Sequence, residues 1–224
     1  MEWNEMHKNR KFRPKYPSEQ VVQYVFRNFK RDGTEKILDM GCGAGRHTVF
    51  MADENIIPYG IDYSESGTFF TREALLNKGY PQYTENIKIS DATKLPFPDN
   101  FFDGLISYGV LYYLKYDAVK KAVSEIKRVL AVGGRAFIVV RSIDDYRARY
   151  GLKTEERNTL IINENDETKC ASNENGMIMH FFDREELIEL FSEFTNVKID
   201  RIEITHDNEA FHDSNYVISV QKGD

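Results

Sequence analysis

The sequence predicts an α/β fold: a Rossmann-like, doubly wound, seven-stranded sheet, parallel except for one antiparallel strand in a C-terminal hairpin. Three observations carry it. Short apolar runs alternate with amphipathic stretches between residues 36 and 140, the pattern of parallel strands joined by helical crossovers. A glycine-rich turn, GCGAG, closes the first of these runs. Two further strand-like runs, VKIDRIEITHD and NYVISVQ, end the chain with only a short gap between them, and strands joined without a helix must pair antiparallel.

Taken in order, Ser18 can cap a helix whose Val21, Val22, Val25, Phe26 and Phe29 recur at three- and four-residue steps. KILDM, bounded by turn residues, reads as a strand buried on both faces. HTVFMADE is a short helix, PYGIDY a second strand, and Ser64 to Lys78 a helix stopped near Gly79 and Pro81. NIKIS, FFDGLISYG and RAFIVV supply strands three to five. Before the fifth comes DAVKKAVSEIKRVL, with Val119, Ala122, Val123, Ile126, Val129 and Leu130 inward and with Gly133 and Gly134 as its stop. Asp183 caps a last helix, and Glu186 stands where it would complete a capping box.

The stretch 142–182, rich in Asn, Glu and Asp, is the one long segment outside this alternation, and long loops in compact domains are functional or disordered. No internal repeat or linker composition divides the chain. Residues 1–224 are therefore expected to form a single domain, with 1–17 as an N-terminal segment and 142–182 as an insertion.

Composition narrows the function classes. A chain of 224 residues with 41% hydrophobic and 29% charged residues suits a soluble globular protein. No stretch approaches a membrane span, and MEWNEMHKNRKFRPKYP lacks the apolar core of an export signal, so a cytoplasmic location is expected. Cys42 and Cys170 have neither a disulfide-framework nor a metal-site spacing, so no metal is expected. A formal net charge of −6 argues against general nucleic-acid binding. A monomer and a homodimer both fit.

The glycine turn is a ligand-binding candidate, because three glycines in five positions suit close approach to a backbone. The dinucleotide fingerprint G-x-G-x-x-G fails, since Arg46 stands where the third glycine belongs. The turn reads D-x-G-x-G-x-G instead, carried by Asp39, Gly41, Gly43 and Gly45. This resembles the first motif of the class I S-adenosylmethionine-dependent methyltransferases of small-molecule type. GIDYS, SDATKLPFPDNFFD, FFDGLISYGVLYYL and EIKRVLAVGGRAFIVV resemble that family's later motifs in the same order, across roughly residues 36 to 140.

The resemblance implies S-adenosyl-L-methionine as cofactor and S-adenosyl-L-homocysteine as product. It implies a cofactor site built from Asp39, Gly41, Cys42, Gly43 and Gly45 of the turn, with Cys42 offering its backbone N–H. Asp62 would take the ribose hydroxyls, with Tyr63 beside it, and Asp91 with Ala92 would lie near the adenine amino group. Ser107 and Tyr108 complete the set, and Tyr16 would come from a lid formed by 1–17. The chain departs from the family at Tyr112 and Tyr113, where His or Glu is common, so no acceptor role is carried over from that histidine.

On the acceptor side, Tyr112 and the arginines at 141, 147 and 149 lie past the fourth and fifth strands, where open α/β sheets bind ligands. The arginines suit an anion, and the competing reading is a surface network with Asp144 and Asp145. His180 is the candidate base or acceptor ligand. The expected function is methyl transfer to an oxygen or nitrogen of a small molecule, anionic or sugar-related. The rivals are a nicotinamide-dependent dehydrogenase, a catalytically silent cofactor-binding partner protein, and a methyltransferase of RNA or protein.

Overall fold

The computed structural model describes residues 3–224, so residues 1 and 2 of the expected lid segment lie outside it. Seven strands make the main sheet: β1 Lys36–Met40, β2 Ile57–Asp62, β3 Ile87–Ile89, β4 Phe102–Tyr108, β5 Leu130–Arg141, β9 Thr195–His206 and β10 Phe211–Gln221. Their order is β3-β2-β1-β4-β5-β10-β9, and β10 alone runs against both its neighbours. The chain winds outward from β1 to β3 and returns to β4, which opens a crevice at the carboxyl ends of β1 and β4.

The helices are α1 Trp3–Lys8, α2 Glu19–Asn28, α3 Arg46–Asp53, α4 Glu65–Asn77, α5 Tyr116–Val129 and α6 Arg184–Leu190. α2 starts where Ser18 accepts the Val21 N–H, and α4 where Ser64 accepts that of Gly67. One sheet face carries α5, whose Val119, Ala122, Val123, Ile126 and Val129 are buried together with Leu130. The other face meets α2 through Val21, Tyr24 and Val25. Tyr24 is buried where Phe26 was expected; Phe26 is exposed, with its ring under the Arg31 guanidinium.

Two expectations about element ends are corrected. α5 ends at Val129, and Gly133 and Gly134 lie inside β5 instead of stopping the helix. Gly133 takes a left-handed φ of 80°, and a Cβ on Gly134 would lie 2.8 Å from the Ala131 carbonyl oxygen, so this pair bends the strand where the β4–β5 register shifts. Asp183 caps α6 through the Glu186 N–H, but the Glu186 carboxylate turns to His180 instead of closing a capping box.

Segment 142–182 has its own architecture. β6 Gly151–Lys153, β7 Thr159–Ile162 and β8 Ile178–His180 form a three-stranded antiparallel sheet. Its Met179, Phe181 and Phe182 are buried in the cluster that contains α5. Among the described residues no helix is long and apolar enough to cross a membrane, and no cluster of His, Cys, Asp or Glu has metal-site geometry.

Candidate cofactor and acceptor cavity

The crevice contains a cavity of about 520 Å³, within the range of sites that enclose a small ligand. Its floor is the glycine turn. Gly41, Gly43 and Gly45 all take left-handed φ angles, of 81°, 52° and 89°, which a side chain would strain. Gly41 and Cys42 donate their N–H groups to the Ile61 carbonyl, tying the turn to the end of β2. Asp62 ties it further. Its Oδ2 accepts the Gly43 N–H and its Oδ1 the Ser64 N–H, each at 2.8 Å. Each oxygen keeps a free lone pair for a ligand hydroxyl.

Of the residues the sequence nominates for the cofactor, Gly41, Cys42, Gly43, Asp62, Tyr63, Asp91, Ala92 and Tyr108 line the cavity. The others stand back from it. Asp39 is buried behind the turn and accepts the Thr48 hydroxyl at 2.7 Å. Gly45 begins α3 and packs on Thr71. Ser107 is fully buried with its hydroxyl unpartnered. Tyr16 is 74% exposed and outside the lining, because the N-terminal segment reaches the cavity through Trp3, His7, Phe12 and Pro14. The buried Cys42 thiol is pushed well above its ordinary value by burial, then by Asp62 and Asp39, so it stays protonated.

None of the five acceptor candidates lines the cavity. Arg141 and Arg147 are buried among carboxylates: Arg141 meets Asp145 and Glu174, and Arg147 meets Glu174, Asp145 and Asp213. Two cations against three anions leave no positive charge for an anionic ligand. Arg149 is exposed on the same turn. His180 is buried, held at Nδ1 by the Thr159 hydroxyl at 2.7 Å and at Nε2 by Glu186 at 3.1 Å, so both ring nitrogens are engaged. Tyr112 is buried with its ring against the Arg141 guanidinium, and its neighbour Tyr113 faces the cavity in its place.

Several lining residues carry no signal in the sequence. α1 has six residues, too few for an apolar period, yet its Asn4 accepts the Ser66 N–H and its His7 Nδ1 meets the Ser64 hydroxyl at 3.0 Å. A Cβ on Gly67 would lie 2.8 Å from the His7 ring and one on Gly43 3.3 Å from it, so these two glycines leave room for the ring. Trp3 packs edge-on against Tyr113 with centroids 4.7 Å apart. Arg46, His47, Ser90, Val110 and Leu114 also line the cavity.

Burial pushes the His47 imidazole down to about 3, and its Nε2 accepts the Ser18 N–H at 3.2 Å. The unfolded chain takes a proton near 6.5 that the folded one refuses until about 3, so this group lowers native stability as pH falls through that interval. Asp39, raised to about 6 chiefly by burial, acts oppositely between 3.8 and 6, where the folded form holds the extra proton. His47→Gln removes the first effect and keeps an acceptor. Its melting temperature should therefore hold up better than the native one between about pH 6.5 and about pH 4. Equal slopes for the two proteins would contradict a neutral, buried His47.

The comparisons with known proteins agree with this architecture. Residues 38–138 match the family described as a methyltransferase domain. The chain is 35% identical over 109 residues to the ubiquinone/menaquinone biosynthesis C-methyltransferase UbiE of Burkholderia cenocepacia, covering 46% of this chain and 42% of that protein. It is 29% identical over 115 residues to a probable tRNA methyltransferase 9B of Mus musculus, covering 51% of this chain and 23% of that protein. The chain thus spans less than half the length of these curated relatives. A crystal structure of a SAM-dependent methyltransferase from Methanosarcina mazei superposes with a TM-score of 0.70 at 23% identity, over 89% of this chain and 97% of that one. Residues 38–138 thus match a methyltransferase domain, and the chain has the fold of the class I S-adenosylmethionine-dependent methyltransferases.

Proposed function

We propose that the chain transfers a methyl group from S-adenosylmethionine to a nucleophile on a small molecule. One observation carries the reading: Asp62, fixed by two backbone N–H groups, faces a cavity floored by left-handed glycines, with Asp91 on the same lining. A carboxylate is acceptor-only and suits a ribose diol, and the side-chain-free turn leaves the room a nucleoside needs. When bound, the cofactor supplies an activated methyl group on a sulfonium leaving group. The protein's part is to hold two reactants in line and to exclude water.

In this reading Asp62 holds the ribose, Asp91 and Ala92 the adenine, and Gly41, Cys42 and Gly43 the middle of the cofactor. Arg46, at the N-terminus of α3, supplies positive charge for the cofactor's carboxylate. Asp39 and Gly45 act from behind, by holding the turn. The segment from Trp3 to Pro14 is the lid. His180 is not assigned as base, since Thr159 and Glu186 occupy both its nitrogens. An anionic acceptor is also set aside, because Glu174, Asp145 and Asp213 neutralise the arginines. The likeness to a tRNA-directed enzyme covers 23% of that protein, and the net charge of −6 favours a small-molecule acceptor over RNA. Incubation with methyl-labelled cofactor and either a metabolite extract or bulk tRNA tests this. Label in small molecules is the expected result; label confined to tRNA, or none in either, would overturn it.

A further inference from the structure

We propose that the acceptor seat is the aromatic corner between the lid and the turn after β4, and that it selects a planar, uncharged acceptor, with Trp3 as the specificity-determining residue. The inference rests on the cofactor reading above and goes on to the chemistry of the second substrate.

Two sets of side chains divide the lining. The charged ones are Asp62 at the end of β2, Asp91 just after β3 and Arg46 at the start of α3, and they are the groups assigned to the cofactor. A second group comes from the lid and from the residues after β4, and includes Trp3, Phe12, Pro14, Val110, Tyr113 and Leu114. This second set carries no formal charge. The histidines add none near neutral pH, since burial also lowers His7 below its ordinary value, against a raising effect of Asp62 and a further lowering by Arg13. Tyr113 stays a neutral phenol, raised chiefly by burial, and its proton is committed to Glu174 at 2.7 Å.

The corner is held from both sides. Behind Tyr113, Glu174 is gripped by Arg147 and Arg141, so the insertion acts on the seat through Tyr113 without entering the cavity. On the lid side, the hydrogen bonds of Asn4 and His7 to Ser66 and Ser64 fix α1, and with it the edge-on contact of Trp3 with Tyr113. Perpendicular rings offer a flat ligand one face and one edge, which is the arrangement aromatic groups favour. A carboxylate or phosphate placed there would be desolvated without a cation to pair it.

Calorimetry on protein saturated with S-adenosylhomocysteine tests this with three probes of one skeleton: 2-naphthol, the anion 2-naphthoate and the puckered, saturated decahydro-2-naphthol. 2-Naphthol should bind about tenfold more tightly than either of the others. Trp3→Ala should remove most of that preference, Trp3→Phe should keep it, and S-adenosylhomocysteine affinity should change less than about threefold in either variant. Tyr113→Phe, which keeps the ring, should also retain the preference for 2-naphthol. If 2-naphthoate or decahydro-2-naphthol binds as well as 2-naphthol, or Trp3→Ala leaves the order unchanged or weakens all three equally, the seat is not the one proposed. Absence of 2-naphthol binding to the saturated protein would also overturn it. Failure of S-adenosylhomocysteine itself to bind would instead sink the cofactor reading.

Discussion

Arg147→Met is expected to destabilise the fold by about 3–5 kcal/mol, the cost of stranding buried carboxylates after one partner of a buried ion network is removed. Arg147 is 3% exposed and serves Glu174, Asp145 and Asp213 at once. Burial tends to raise the Asp213 carboxyl, but the Arg147 guanidinium beside it holds it below its ordinary value. That depressed value contributes stability above the unfolded value of 3.8, lost as pH falls below it, and Arg147→Met should weaken this acid sensitivity. Arg149→Ala, on the exposed end of the same turn, should change stability by less than about 0.5 kcal/mol. Urea unfolding of the two variants checks the pair. A mild effect at Arg147 would mean that the network is solvated and free to meet a ligand.

Asp62→Ala is expected to weaken S-adenosylhomocysteine binding by about 1.5–3 kcal/mol, or roughly 10- to 150-fold, through loss of the charge-assisted hydrogen bonds to the ribose. It should also lower the melting temperature, because the same carboxylate accepts the Gly43 and Ser64 N–H groups. Asp62→Asn keeps one acceptor oxygen and should fall between. Calorimetry and a thermal melt on the same samples separate the effects. Native affinity in a folded Asp62→Ala protein would remove this residue from the site.

The glycine turn and Asp62 are legible in the sequence because their chemistry is local. Left-handed angles favour glycine, and the carboxylate is the last residue of β2. Of the partners of Arg147, Asp145 is legible as a near neighbour, but Glu174 and Asp213 are not, since they lie 27 and 66 residues away. Sequence position puts the arginines at and after the end of β5, and the packing shows Arg141 and Arg147 buried among Asp145, Glu174 and Asp213 and outside the cavity lining. His180 has the same history: β8 and α6 bring Thr159 and Glu186 to its two nitrogens. The part of the N-terminal segment in the lining is not legible by residue. The family resemblance alone points to Tyr16, whereas Trp3 and His7 reach the cavity from a helix too short to show a period. Gly133 and Gly134 misled because glycine serves a helix stop and a strand bend equally well.

The central claim is that the cavity over the glycine turn holds the nucleoside of S-adenosylmethionine, and a crystal structure with S-adenosylhomocysteine tests it most directly. The account predicts the ribose hydroxyls within hydrogen-bonding distance of the Asp62 carboxylate, the adenine beside Asp91, and the sulfur end directed toward Tyr113 and Trp3. Density for the product elsewhere on the protein, or in this cavity with the ribose away from Asp62, would contradict it.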